Sequence, residues 1–191
     1  MIIGNVLFLE ESLDRYLRAQ EGAVGNHVRQ KVSRVDLIKS DAEIVHALLP
    51  EARVAPLKVD FDNPQKDAQE ARVRVHDMFD GMVEIDGVRA TRSFAFSGDP
   101  GLFRLRTNPY STTLPHGEIS NRRVIIGMSG RNDAETLKRE IDRQEQLLRE
   151  YVETSTKQIE AYNDKLGALL GEAVASRRQQ LASLEDLKNR I

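Results

Sequence analysis

Apolar positions recur along this chain in two rhythms, helical and alternating, and each predicts a different kind of element. Over residues 5–21, Val6, Leu7, Leu9, Leu13, Tyr16 and Leu17 make one apolar side, opposed by Glu10, Glu11, Asp14, Arg15 and Arg18. That spacing predicts a first helix, ended by Gly22, Gly25 and Asn26. A second helical stretch covers residues 28–49, broken at Ser40-Asp41, a good N-cap pair, and stopped by Pro50.

From residue 54 the period falls to two. Leu57, Val59 and Phe61 alternate with Lys58, Asp60 and Asp62, and Val73 and Val75 alternate with Arg72, Arg74 and His76. Asp80-Gly81 and Asp86-Gly87 are turn dipeptides enclosing a short strand over 82–85. Further strands are predicted over 89–97, 102–106 and 122–128, with a strong turn at Gly98-Asp99-Pro100-Gly101 and a loop over 107–116. Strands joined by short turns, with no helices between them, predict an antiparallel sheet. One face should carry Val73, Val75, Phe94, Phe96, Phe103 and Leu105, joined by Leu57, Val59 and Phe61.

The last third returns to a helical rhythm. Gly130 breaks the chain, Asn132 or Asp133 can cap, and Glu135 follows at capping-box distance. Leu137, Ile141, Gln144, Leu148, Tyr151, Ser155, Ile159, Tyr162, Leu166, Leu169 and Ala173 then step by threes and fours, close to a coiled-coil repeat. Gly167 and Gly171 interrupt the pattern, each weakening a helix by about 1 kcal/mol relative to alanine. Two helices, 132–163 and 168–190, are therefore expected in preference to one bent helix. A helix of roughly 32 residues is about 48 Å long, more than a small head can cover. The stripe of Leu137, Ile141, Leu148, Ile159, Tyr162 and Leu166 thus predicts a homo-oligomer formed through the tail, most simply a two-fold dimer. Gln144 and Ser155 would fix its register. The expected fold is α+β, with N-terminal helices, an antiparallel sheet and a long C-terminal helical arm or hairpin. It divides into an α+β head, 1–130, and a coiled-coil-like arm, 131–191.

Composition narrows the classes. A net charge of −2 over 191 residues points neither to a polyanion binder nor to a polyanion mimic. With no cysteine, disulfides, cysteine–zinc sites and thiol catalysis are excluded. The N-terminal apolar run has no basic segment before it, so no signal peptide, membrane span or membrane partner is expected, and the location is cytoplasmic.

Candidate chemistry is sparse. His27, His46, His76 and His116 lack ligand spacing. Asp60 and Asp62 form a DxD of the kind that holds Mg²⁺, without the further acid and lysine of a nuclease strand. Ser111, Thr112 and Thr113 lie near His116 but lack a nucleophile elbow. There is no Walker loop and no GxGxxG. No catalytic residue, metal or cofactor is expected. Between residues 71 and 129 every basic residue is arginine, and Arg72, Arg74, Arg104 and Arg106 should project from strand faces. Arginine forks suit phosphate and carboxylate, so these four are the candidate ligand or nucleic-acid site.

The order Gly98-Asp99-Pro100-Gly101-Leu102-Phe103, then Asn108-Pro109-Tyr110-Ser111, a strand, and a long helix with residues 159–166 (IEAYNDKL) and 177–181 (RRQQL) resembles the N-terminal region of certain multidomain bacterial proteins. In those a C-terminal effector, a restriction-type nuclease or a TIR domain, follows. The resemblance covers residues 54–185. It implies an accessory or sensing module in antiphage defence, with an effector domain beyond Ile191, and carries over no catalytic residue. Together with the missing catalytic frame, it suggests a non-catalytic regulatory, sensing and oligomerisation module of a larger intracellular protein. The alternative is a nucleic-acid or anionic-ligand binding module acting through the arginine face.

Overall fold

The chain is α+β, as its two periodicities imply. The computed structural model describes residues 1–77, 81–108 and 113–191, the side chains of 75–77 excepted. Its helices are α1 (Leu13–Lys31), α2 (Asp41–Ala52) and α3 (Ala134–Arg190). The strands are β1 (Asn5–Val6), β2 (Lys58–Val59), β3 (Gln65–Asp77), β4 (Gly81–Ser97), β5 (His116–Ser120) and β6 (Arg123–Gly130). They form one antiparallel sheet in the order β1-β5-β6-β4-β2, with β3 also paired to β4. Among the described residues no helix is long and apolar enough to cross a membrane.

Two compact units divide the chain: residues 1–13 with 56–156, and residues 14–55 with 157–191. This boundary differs from a head of 1–130 and an arm of 131–191. The first part of α3 belongs with the sheet, and the remainder belongs with α1 and α2.

In the sheet unit, β4 is the central strand. Its residues 88–95 pair with β6 on one edge. On the other edge, residues 81–93 pair with β3 and Phe96 and Ser97 pair with β2. The turn expected at Asp86-Gly87 does not form; Gly87 sits mid-strand opposite Ala71. A Cβ there would lie 2.5 Å from Val73 Cγ2 and closer still to the Gly130 carbonyl oxygen. Glycine marks a close backbone approach here rather than a turn. The Asp80-Gly81 turn lies outside the described residues.

Residues 102–106 do not make the expected strand. Asp99 accepts from Gly101 N at 2.8 Å and the ring of Pro100 fixes its own φ at a helical value, so Pro100–Arg104 is a 3-10 turn. Leu102 and Phe103 are consecutive and both buried, while Leu105 is only half-buried. Phe94 and Phe96 are buried as expected. Val73, expected beside them, faces the other way. The register sets it opposite Ile85, and odd-numbered residues of β4 lie on the side opposite Phe94 and Phe96.

The N-terminal helix begins at Leu13, not residue 5, because residues 1–8 run along the sheet. Ile3 N donates to Gly127 O at 3.0 Å, and Leu7 N to Pro115 O at 2.9 Å. Phe8 adopts a φ of +55°, a left-handed conformation that costs about 1–2 kcal/mol in a non-glycine residue. Complete burial of its ring against Phe103 and Tyr151 offsets that cost.

In the helical unit, α1 buries Leu17, Val24 and Val28 at one-turn and two-turn spacings. Gly22 and Gly25 do not end it, since both face open space. Ser40 caps α2 as expected, and Glu43 completes a capping box with it. Pro50 does not stop that helix, which continues to Ala52 with Pro50 in its last turn.

The hairpin expected in the tail is also absent. α3 is one helix of 57 residues. Asp133 caps it, accepting from Glu135 N and Thr136 N. Gly167 and Gly171 lie on its open side, and the buried ladder Ile159, Tyr162, Leu166, Leu170, Val174 runs straight past them. Burying each leucine contributes about 1.5–3 kcal/mol, more than each glycine subtracts.

Candidate functional site

The four candidate arginines occupy two separate places. Arg72 and Arg74 are exposed on β3, opposite Asp86 and Glu84 of β4. Arg72 Nε is 3.7 Å from Asp86 Oδ1. The cavity beside it, about 480 Å³, is lined by Glu70 and Asp86 as well as Arg72, a mixed-charge wall rather than an anion cradle. Arg104 lies in the 3-10 turn and donates through Nε and Nη2 to Glu10 at 2.8 and 2.5 Å. That hydrogen bond raises its pKa further above the ordinary guanidinium value. The backbone of Arg106 bonds Glu11 and Leu13. No common arginine face forms, because residues 102–106 are not a strand.

The six residues assigned to self-association, Leu137, Ile141, Leu148, Ile159, Tyr162 and Leu166, are all buried by this chain itself. The premise of an uncovered stripe is therefore overturned. Gln144, expected to fix an interhelical register, accepts from His116 N at 2.8 Å and donates to Glu140. Ser155 is buried with no hydrogen-bond partner for its Oγ among the described residues.

The chemical candidates are held in structural roles. Asp60 Oδ1 accepts from Asp62 N, Asn63 N and Asn63 Nδ2 at 3.1–3.2 Å, closing a turn. His27 Nε2 lies 3.7 Å from Glu51, and His46 is exposed. The His76 side chain, Ser111 and Thr112 lie outside the described residues. Among those described, no group of three or more His, Asp or Glu is placed to hold a metal ion.

A charged cluster that the sequence reading did not assemble stands on the covered face of the sheet. Arg92 of β4, of the same parity as Phe94 and Phe96, donates to Asp142 at 2.9 Å and to Glu145 of α3. Burial lowers its pKa, but the two carboxylates outweigh that and the net shift is upward. Lys138 and then Arg92 hold the Asp142 carboxyl below its usual range. Glu145 also accepts from Arg149, whose guanidinium lies 4.2 Å from the Phe61 ring centre. The available signal was an arginine on the apolar parity of a strand, with two acids three residues apart on the helix that covers it. Its partners leave it no free charge, so it is a clasp.

What remains open is the outer edge of β3. This strand is 13 residues long, and among the described residues no strand pairs with its far side. Residues 65–70 are exposed on both faces. Asp60 N donates to Ala95 O at 2.9 Å and Phe96 N to Arg122 O at 3.0 Å. Odd-numbered residues of β4 thus turn their polar groups toward the β2 and β3 edge, and even-numbered ones toward β6. Odd pairs with odd across β3 and β4. It follows that Lys66, Ala68, Glu70, Arg72 and Arg74 direct backbone N–H and C=O to the open edge.

No protein-family model, curated protein or solved structure matches this chain.

Proposed function

We propose that this chain is a non-catalytic regulatory module that binds protein by strand addition, with the outer edge of β3 as its working surface. The observation that carries this reading is the edge itself: a 13-residue strand with no partner strand on its outer side among the described residues, whose first six residues are exposed on both faces. A row of unpaired N–H and C=O groups is a template for an added strand, with main-chain bonds supplying affinity and alternate side chains supplying selectivity. The structural duties of Asp60, Gln144, Arg92 and Arg104 favour a scaffold over an enzyme. The nucleic-acid alternative has less support, since the candidate arginines share no common face and Arg104 is bound to Glu10. The defence setting and the effector domain implied by the resemblance have no matching protein behind them and form no part of the proposal.

Ala68→Pro provides the test. It removes an outward N–H, so the ladder to β4 survives while strand addition is blocked. Quantitative affinity capture from cells expressing the full reading frame should retain partners with the wild type that are lost with Ala68→Pro, while the circular dichroism of the two proteins stays the same. Equal retention by both proteins would overturn the reading.

A further inference from the structure

We infer that the strand added to β3 is the β3 strand of a second copy, paired antiparallel about a two-fold axis through Ala71; this rests on the strand-addition reading above. The argument begins from symmetry. A two-fold perpendicular to the sheet keeps each face on its own side, so only residues of the same parity stand opposite one another. Ala71 is the midpoint of Gln65–Asp77, so an axis there engages the whole strand. The outward groups of Glu70 and Arg72 are then in phase to bond those of Arg72 and Glu70 in the second copy, across a closely spaced Ala71 pair.

Charge selects this register over its neighbours. With the axis at Ala71, each Glu70 stands opposite an Arg72 of the second copy, once on each side of the axis. Sliding by two residues in one direction sets Glu70 against Glu70, and in the other Arg72 against Arg72. Like charges directly opposite are destabilising. The register with Arg72 opposite Arg72 also sets each Glu70 opposite an Arg74, but among Glu70, Arg72 and Arg74 only the axis at Ala71 joins opposite charges with no like pair. Arg72 is free to take this role, because its contact with Asp86 is long and both side chains are highly exposed. Ala68 and Ala71 add no bulk that would hold the strands apart.

Sedimentation equilibrium of the full chain, from roughly 1 to 100 µM, tests the inference with four proteins: wild type, Glu70→Arg, Arg72→Glu and the double variant. The wild type should dimerise. Each single variant places like charges opposite at two positions and should self-associate about tenfold more weakly. The double variant restores both pairs with reversed sign and should dimerise as the wild type does. Circular dichroism monitors the fold of each. A wild type that stays monomeric, a dimer indifferent to all three variants, or a double variant no better than the singles would overturn the inference. If the wild type is monomeric yet its captured partners are lost with Ala68→Pro, the second copy is rejected and strand addition stands. If capture is also indifferent to Ala68→Pro, both fall.

Discussion

The two units draw on the same helix in different ways. In the sheet unit, α3 meets mostly side chains, with Gln144 accepting from His116 N and Arg149 donating to Phe61 O. Phe61 and Phe94 pack at 5.1 Å, and Phe96, Phe103, Phe8 and Tyr151 form a chain of rings 5.0–5.8 Å apart. The Arg92 clasp closes that face. In the helical unit, α3 also meets backbone. Asn163 donates to Val54 O and accepts from Val54 N, Tyr162 donates to Ala52 O, and Arg177 donates to Val32 O. Arg178 donates to Leu37 O, Lys39 O and Asp41. The strands pair most of their own main chain and need chiefly a cover. Connections between short helices leave carbonyls unpaired, and long side chains must reach them. The unit rich in ladders is held by ring packing, and the unit rich in connections is held by hydrogen-bonded side chains.

Removing a ring should break the first unit most sharply. Phe103 is wholly buried between Phe8 and Phe96, and Phe103→Ala should cost about 3–5 kcal/mol in urea denaturation. A midpoint equal to that of the wild type would mean that the aromatic chain does not hold the sheet unit together.

Glycines sharpen the contrast, since the two units should respond with opposite sign. Gly87→Ala drives a Cβ into Val73 and the Gly130 carbonyl and should cost about 1–3 kcal/mol. Gly171→Ala meets nothing within 4 Å and should add about 1 kcal/mol to the stability of the helical unit. Thermal melts of both variants check the pair, and a destabilising Gly171→Ala would contradict the continuous helix.

The smallest effect concerns acid. Backbone and side-chain hydrogen bonds from Ser33, with help from Lys39, lower the Asp36 pKa from 3.8 to about 2. A depressed carboxyl contributes stability that is present above its unfolded pKa and lost as pH falls through the folded one. The contribution of Asp36 should therefore fade between about pH 4 and pH 2. Asp36→Asn should flatten this acid dependence of the helical unit, followed by hydrogen exchange over 14–55, while leaving the sheet unit's dependence unchanged.

Much of this was legible in order of residues. The N-cap at Ser40, the cap at Asp133, the antiparallel sheet, and the burial of Phe94, Phe96 and Phe103 follow from local spacing and short-range hydrogen bonding. The candidate site was not. Arg104 and Arg106 were assigned to a strand because residues 102–106 alternate, yet a capped 3-10 turn forms there and buries consecutive Leu102 and Phe103. The tail stripe was read as uncovered because helix length was weighed against a small head, while residues 14–55 were not counted as the companions of Ile159, Tyr162 and Leu166.

Sequence alone determined where helical and alternating rhythms begin, which residues cap, and which side chains are too apolar to leave in water. Those properties act over a few residues and need no partner. Only the tertiary structure decided that Gly87 sits within a strand, that Gly167 and Gly171 lie inside an unbroken helix, and that β3 keeps an open edge. In each case the deciding quantity is what stands opposite the residue in space: the Gly130 carbonyl, open solvent, or no strand among those described. Spacing along the chain carries no record of that neighbour, because the register that supplies it is set by packing between distant segments.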